Sequence, residues 1–182
     1  MSQATAPDIR SAYLADVMRQ FKMFKGFVDK ALPRVPDEHL HTVLDPNSNS
    51  IAVIVKHIGG NLRSRYRDFL TSDGEKPDRD RDSEFEMTGQ ESRAEILKGW
   101  EDGWSIAFAS IGALGPADLD RTVYIRGEAF LVIEALNRSL AHMASHVGQI
   151  VYLARHFAGD TWTSLTIPKG QSAGLKGDFK NR

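Results

Sequence analysis

His142 and His146 are the residues of this chain whose type and spacing most directly suggest chemistry. They lie four positions apart in a segment with helical periodicity, so both imidazoles project from the same face of a helix. Two such histidines can hold one divalent ion, because an imidazole nitrogen binds zinc at about 2.0–2.1 Å. Two unrelated polar histidines in a helical core would show the same spacing. The pair alone therefore leaves both interpretations open.

His57 supplies a third imidazole in the middle of another predicted helix, between Ile54 and Ile58. A single histidine in such a position is usually a hydrogen-bonded core residue. Together with the pair on the other helix, it points to a site where three imidazoles converge. Three neutral imidazoles leave one or more coordination positions for water or a substrate, which is typical of a catalytic metal site. We therefore predict His57, His142 and His146 as metal ligands.

Other metal and catalytic motifs fit the sequence less well. A zincin requires a glutamate directly after the first histidine of its pair, and Met143 occupies that position. A di-iron bundle requires several inward glutamates and Glu-x-x-His pairs, whereas this segment offers only Glu134, at a different spacing. The sequence has neither of the common phosphate-binding glycine loops and no GxSxG motif. The remaining histidines, His39, His41 and His156, are interpreted as structural.

The composition excludes several classes of function. With a net charge of -1, the chain offers no electrostatic reason to bind nucleic acid or an anionic membrane. It contains no cysteine, which excludes disulfides, thiolate ligands and a protein thiol nucleophile, and makes a cytoplasmic location the expectation. The first twenty residues lack a signal-peptide pattern, and no apolar run approaches the roughly 20 residues of a membrane span.

Four segments show helical periodicity and predict an all-α four-helix bundle, formed as a single domain over residues 1–182. Ser48 or Asn49 is predicted to cap the second helix, and a capping box of Thr88 and Glu91 is predicted to open the third. Two tryptophans four positions apart in the third helix are interpreted as core. The predicted helices cover residues 9–32, 50–70, 88–112 and 129–157.

The connections between these helices carry weaker signals. Residues 121–128, RTVYIRGE, alternate and contain β-branched side chains, which predicts a short strand or an extended loop. The charged stretch 71–87 is interpreted as a solvated connection. The tail from Gly159 is interpreted as loop. Nothing in these segments indicates a second domain.

The fourth predicted helix has two unlike sides. One carries a continuous apolar stripe, and the other carries small residues that would let a neighbouring helix approach closely. A dimer interface is one way to cover that small side, and a central position in the bundle is another. The small residues are Ala141, Ala144, Ser145 and Gly148.

Two stretches of the chain resemble the DinB-like superfamily of damage-inducible proteins, and within it a subgroup described as a domain of unknown function: VKHIGGNLRSRYRDFLTSDGEKPDRDRDSEFE and LNRSLAHMASHVGQIVYLARHF. The sequence segments HIGGN and HVGQI, which begin with two of these histidines, add to the resemblance. The similarity runs over most of the chain, from the first helix to the IPKGQS segment after Trp162.

This resemblance implies an up-down-down-up bundle, often dimeric, with a metal held by His57, His142 and His146. Relatives of that superfamily include thiol-dependent transferases and a maleylpyruvate isomerase, which use small thiols such as bacillithiol, mycothiol or glutathione. The superfamily name suggests DNA damage, but the near-neutral charge gives no physical support for contact with DNA.

Two functional hypotheses follow. In the first, the chain is a metal-dependent transferase or isomerase that uses a low-molecular-weight thiol, whose pKa the ion lowers. In the second, it is a non-catalytic, stress-related protein with a structural metal or a bound ligand. Asn61 and Gln149 are candidates to orient a ligand or contact a substrate, or else to form ordinary interhelical hydrogen bonds. Nickel or zinc is the expected ion, with iron or manganese as alternatives, and a homodimer is expected.

Overall fold

Four α-helices, one small antiparallel sheet and five short 3-10 helices make up the regular structure in the part of the chain that the computed structural model describes, residues 8–173 and Gly177. The all-α, four-helix prediction is confirmed. The described residues do not include 1–7, 174–176 and 178–182. Both ends of the predicted domain 1–182 therefore lie outside them, as do the start of the region searched for a signal peptide and part of the predicted tail. The helices are α1 (Ile9–Ala31), α2 (Ile51–Tyr66), α3 (Arg93–Gly112) and α4 (Val132–Ala158), and the strands are β1 (Thr122–Ile125) and β2 (Glu128–Leu131).

The directions of the helices follow from contacts at their ends. Tyr13 Oη donates a hydrogen bond to Asn137 Oδ1 at 2.7 Å, so α1 and α4 begin at the same end of the bundle and run parallel. At the opposite end, the amide of Ala52, in the first turn of α2, donates to Leu40 O in the connection that follows α1. Arg93, the first residue of α3, donates to the carbonyl of Leu32, the residue directly after α1. Helices α2 and α3 therefore both run against α1, and the order is up-down-down-up.

Helices α2 and α3 approach each other closely at glycines. A Cβ on Gly103 would lie 2.5 Å from the carbonyl oxygen of Gly59, and a Cβ on Gly59 would lie 2.6 Å from that of Gly99. Distances this short leave no room for a side chain, so the two backbones touch directly. Trp100 and Trp104 flank this contact and are fully buried, which confirms that the tryptophans belong to the core.

The cap of α2 differs from the prediction. Ser50 is the N-cap, and its hydroxyl accepts from the amide of Val53. Ser48 instead accepts from the amide of Asp45 in the preceding loop, so the prediction of Ser48 or Asn49 was wrong. The hydroxyl that caps a helix must stand directly before its first turn. Three polar residues in a row satisfy that pattern in sequence, and only Ser50 occupies the position in space.

Helix α3 begins after a capping box of Ser92 and Glu95, so the assignment of Thr88 and Glu91 as its start was wrong. The same S/T-x-x-E pattern occurs twice, four residues apart. The Glu91 carboxylate does accept from the amide of Thr88, at 2.9 Å, but this bond closes a separate turn. Only the second pattern leads directly into the apolar run of the helix.

Helix α2 ends at Tyr66, four residues earlier than predicted. Asp68 has a φ of 51°, in the left-handed region that few residues other than glycine adopt, so the helix cannot continue through it. The sequence RYRDFL keeps its helical periodicity across this break, which explains why the longer helix was predicted.

The segment before α4 is a β-hairpin. The predicted strand or extended loop at 121–128 corresponds to β1 and its turn, and the residues after it form β2 rather than the first turn of α4. Arg126 and Gly127 both have positive φ values, 55° and 77°, as a two-residue hairpin turn requires. Asp73 accepts from both of their amides, at 2.8 and 2.7 Å, and so fastens the turn to the connection after α2.

One side of α4 stays exposed in the single chain. Its small residues Ala141, Ala144, Ser145 and Gly148 are all solvent-accessible, so the homodimer remains a prediction. None of the helices within the described ranges has the length and apolar character needed to cross a bilayer.

The glycine contact generates a test with a matched control one turn away. We expect Gly103→Ala to lower the free energy of unfolding by about 1–3 kcal/mol, because the new Cβ meets backbone that cannot yield locally. A Cβ on Gly99 would have no neighbour within 4 Å, so Gly99→Ala should raise the free energy of unfolding by about 0.5–1 kcal/mol, because alanine favours the helix more than glycine does. Urea denaturation followed by circular dichroism measures both. Equal effects of the two substitutions would contradict the close-packing interpretation.

Candidate metal centre

Three imidazoles meet between α2 and α4. His57 comes from the middle of α2 and is 4% exposed, whereas His142 and His146 are half-buried and lie one turn apart on α4. Their ligand nitrogens all lie within 4.8 Å of one another. The structure thus brings together the three histidines that the sequence analysis singled out.

The distances within the cluster suit a tetrahedral ion. The Nε2 atoms of His57 and His142 are 3.3 Å apart, and those of His142 and His146 are 3.1 Å apart. Nitrogens bound tetrahedrally at about 2.0–2.1 Å from one ion lie roughly 3.3–3.4 Å from each other. Small adjustments of the rings therefore suffice to accommodate a single ion at the centre.

The outer nitrogens of two rings are held by oxygen acceptors. His57 Nδ1 lies 2.8 Å from Glu84 Oε2, and His146 Nδ1 lies 3.0 Å from Gln149 Oε1. An ionised carboxylate and an amide oxygen can only accept, so both Nδ1 atoms carry the proton. In the neutral rings, the lone pairs of the Nε2 atoms then point towards the centre. This is the tautomer of a histidine that binds metal through Nε2.

His142 Nε2 faces the Nε2 atoms of both His57 and His146. Without an ion, a neutral His142 protonated at Nε2 can donate to one of these two neighbours. A metal ion at the centre would instead bind the lone pairs of all three rings, and the separations are compatible with it. The donor set of three imidazoles suits a divalent transition-metal ion.

The surroundings favour the neutral, ligating form of the two histidines on α4. Burial is the main cause that lowers the pKa of His142 to about 3, and the charges of His146, His57, Arg65 and Arg138 add to it. Burial also lowers the pKa of His146, although its hydrogen bond with Gln149 acts in the opposite direction. Both rings are therefore uncharged at neutral pH, as metal ligation requires.

Glu84 is a functional residue that the sequence analysis missed. It is 5% exposed, and burial alone would raise the pKa of its carboxyl group. Hydrogen bonds with His57 and Arg79 outweigh burial and lower that pKa below its ordinary value. Arg79 donates from Nε to Oε1 and from Nη2 to Oε2, both at 2.8 Å. The chain Arg79–Glu84–His57 therefore fixes the orientation of one candidate ligand ring.

The segment that carries Glu84 is fastened to α2. Lys56 Nζ donates to the carbonyls of Ser83 and Glu86, at 2.7 and 2.8 Å. Ser64 Oγ donates to the carbonyl of Gly74, at 2.9 Å. The interpretation of residues 71–87 as a solvated connection was therefore wrong near Gly74 and Glu84, whereas residues 77–82 between them are mostly exposed. The polar side chains there are satisfied by one another and by α2, not only by water.

Two adjacent glycines of the HIGGN segment have separate roles. Gly59 allows the contact with α3, whereas a Cβ on Gly60 would lie 2.2 Å from Glu84 Oε1. Gly60 thus makes space for the buried carboxylate beside His57. A signal for Glu84 was present in the sequence, because Phe85 and Met87 are apolar residues in an otherwise charged run. Phe85 packs against the His57 ring, with centroids 4.8 Å apart.

A cavity of about 860 Å³ borders all three histidines. Asn61 lines it, whereas Gln149 contacts His146 from the exposed side of α4. The cavity wall is rich in arginine, with Arg65, Arg79, Arg81, Arg126 and Arg138. An ion at the three imidazoles would thus adjoin a space large enough for a small molecule.

The other histidines lie outside the cluster. His39 stacks on Phe157 with ring centroids 4.7 Å apart, and His41 Nε2 lies 2.9 Å from the carbonyl of Glu91. His156 is exposed near the end of α4. The contacts of His39 and His41 agree with their structural interpretation, and His156 lies apart from the cluster.

Comparisons with known proteins agree with part of the sequence resemblance. A family model described as "Protein of unknown function (DUF1572)" matches residues 8–171. Neither the curated proteins nor the solved structures include a match to the chain.

The contact between Gly60 and Glu84 generates a second test. We expect Gly60→Ala to push the Glu84 carboxylate away from His57, because Arg79 holds that carboxylate where the new Cβ would lie. In the wild-type protein, the Nδ1 proton of His57 should give a downfield, slowly exchanging NMR signal. That signal should disappear in Gly60→Ala and persist in the control Gly99→Ala. Its persistence in Gly60→Ala would contradict the proposed role of Gly60.

Proposed function

We propose that this chain, which belongs to the DUF1572 family of proteins of unknown function, binds one divalent metal ion through Nε2 of His57, His142 and His146. The observation that carries the proposal is the convergence of the three imidazoles within 4.8 Å. The hydrogen bonds from Nδ1 of His57 and His146 support it, because they direct the unprotonated nitrogens to the centre.

The donor set narrows the choice of ion. Neutral imidazoles suit borderline transition metals, and zinc or nickel fits this set best, with iron or manganese as alternatives. The ion would hold α2 and α4 together. The up-down-down-up order and the placement of the histidines are also what a DinB-like protein is expected to have, and we propose that the family is a branch of that superfamily.

We further propose that the centre is catalytic and acts on a small molecule with the help of a low-molecular-weight thiol, as a transferase or isomerase. Three protein ligands leave a coordination position open, and the adjoining cavity gives a ligand room to reach it. A divalent ion there would supply Lewis acidity that lowers the pKa of a thiol or water. The chain has no cysteine of its own, so the thiol would come from outside.

The protein's own residues would prepare this site before any ligand arrives. Glu84 holds the proton on His57 Nδ1 and so keeps its Nε2 free to ligate. Gln149 does the same for His146. Phe85 covers one side of the His57 ring and limits the access of water from that direction. These contacts would position the donors without any rearrangement of the helices.

The alternative is a structural ion that only ties α2 to α4. The observation in its favour is that the cluster bridges two helices whose histidines are separated by 85 residues along the chain. In that case the fourth position would hold water alone, and a small thiol would not displace it.

Metal binding is tested by removing one ligand. We expect untagged wild-type protein to contain one divalent ion per chain by elemental analysis, and His146→Ala to contain none. The helices should persist by circular dichroism, because His146 is half-buried and lies beside the apolar stripe. His156→Ala, an exposed histidine on the same helix, is the matched control and should keep its ion. Wild-type metal affinity in His146→Ala would refute the ligand assignment.

The thiol hypothesis is tested with cobalt in place of the native ion. Titration with several small thiols at neutral pH should produce a saturable charge-transfer band in the near ultraviolet, because an open position on the ion takes up the thiolate form. His57→Ala should show no such band. A spectrum that stays unchanged with every thiol would reject the thiol-dependent enzyme in favour of the structural ion, while leaving the ligands as assigned.

A further inference from the structure

Arg65 is a buried cation that forms no ion pair among the described residues. It is only 8% exposed, and its Nε is buried with no hydrogen-bond partner among the described residues. The arginine ion pairs found within residues 8–173 include none of Arg65. A guanidinium stays charged in proteins, so burying it without an anion is costly. Such a group therefore needs an explanation beyond the fold.

Arg65 lines the cavity beside the three histidines. Its stem passes over Gly74, where a Cβ would lie 3.0 Å from Arg65 Cδ. This packing fixes the side chain against the connection after α2. Arg138 lines the same cavity. The guanidinium of Arg65 therefore shares this space with Arg138 and the candidate metal centre.

The cavity arginines differ in whether an acid neutralises them. Arg79 binds Glu84 and Glu75, and Arg126 lies 3.3 Å from Glu75. Arg138, by contrast, forms no ion pair within residues 8–173, so it shares the cavity with Arg65 as a second uncompensated cation.

The acids of the wall are outnumbered by its arginines, because Glu75 and Glu134 share the lining with five guanidinium groups. The Glu134 carboxylate keeps its charge while it accepts from the amide of Leu131, at 2.7 Å, as part of the cap of α4. Glu75 is already engaged by two arginines. The part of the cavity near Arg65 and Arg138 is therefore suited to an anion.

We propose that Arg65 and Arg138 bind a carboxylate of a small-molecule substrate whose reacting end lies at His57, His142 and His146. The part of this proposal that concerns the reacting end rests on the proposed metal centre; the carboxylate site itself does not. The planar fork of a guanidinium matches the two oxygens of a carboxylate.

The test measures anion binding and metal binding separately. Isothermal titration at fixed ionic strength should show that succinate binds the metal-free protein and the zinc-loaded protein, whereas the uncharged succinamide does not bind. Arg65→Gln and Arg138→Gln should each weaken succinate binding about tenfold or more, since each removes a charge-assisted hydrogen-bonding partner. Their metal content should equal that of the wild type.

Arg63→Gln is the matched control. It removes the same charge from the same helix, but Arg63 is exposed and faces away from the cavity, so succinate affinity should be unchanged. If Arg65→Gln does not fold, the test is carried by Arg138→Gln, whose side chain is exposed.

Three results would overturn the carboxylate site: no binding of succinate, equal weakening by Arg63→Gln, or tighter binding of inorganic phosphate than of succinate. None of these would alter the metal content. Succinate binding that depends on Arg65 and Arg138 in a protein that takes up no metal would keep the anion site and reject the metal centre. The two proposals can therefore fail independently.

Discussion

The buried Glu84 carboxylate is the group on which the geometry of this site depends. A charge removed from water must be surrounded by donors, and here those donors are Arg79 and His57. The need to compensate the charge of Glu84 fixes the positions of both donors. The carboxylate fixes Arg79 within the connection between α2 and α3, and it holds the proton of His57 on the nitrogen that faces away from the cluster. The direction of the lone pair on His57 Nε2 is therefore a consequence of a charge that had to be compensated.

The same constraint links the site to the packing of the bundle. Gly59 and Gly60 are neighbours on α2. A side chain on Gly59 would collide with the backbone of α3, and a side chain on Gly60 would collide with Glu84. His57 lies one turn or less from both. The spacing between α2 and α3 and the orientation of the candidate ligand are thus set by the same short segment. Loss of one glycine would disturb packing, and loss of the other would disturb the site.

The parts of this structure that could be predicted are those set by local periodicity. The apolar repeat identifies four helices, and the spacing of His142 and His146 follows directly from the helical turn. Glu84 could not be found in this way, because its burial depends on Arg79 and Lys56 rather than on any repeat near it. The start of α3 was misplaced because the S/T-x-x-E pattern occurs twice, four residues apart, and only the second occurrence leads directly into the apolar run. Strand β2 was assigned to α4 because a strand of four residues is recognisable only through its partner, β1.

The connection between α2 and α3 has an evolutionary consequence. Surface connections usually tolerate changes in length between homologues, because few contacts fix them. This one is fastened at three separate points: at Gly74 by Ser64, at Asp73 by the hairpin turn, and at Ser83 by Lys56. An inserted or deleted residue between Gly74 and Ser83 would shift Glu84 relative to His57. The length of this stretch should therefore be under purifying selection even where its individual charged residues are free to vary.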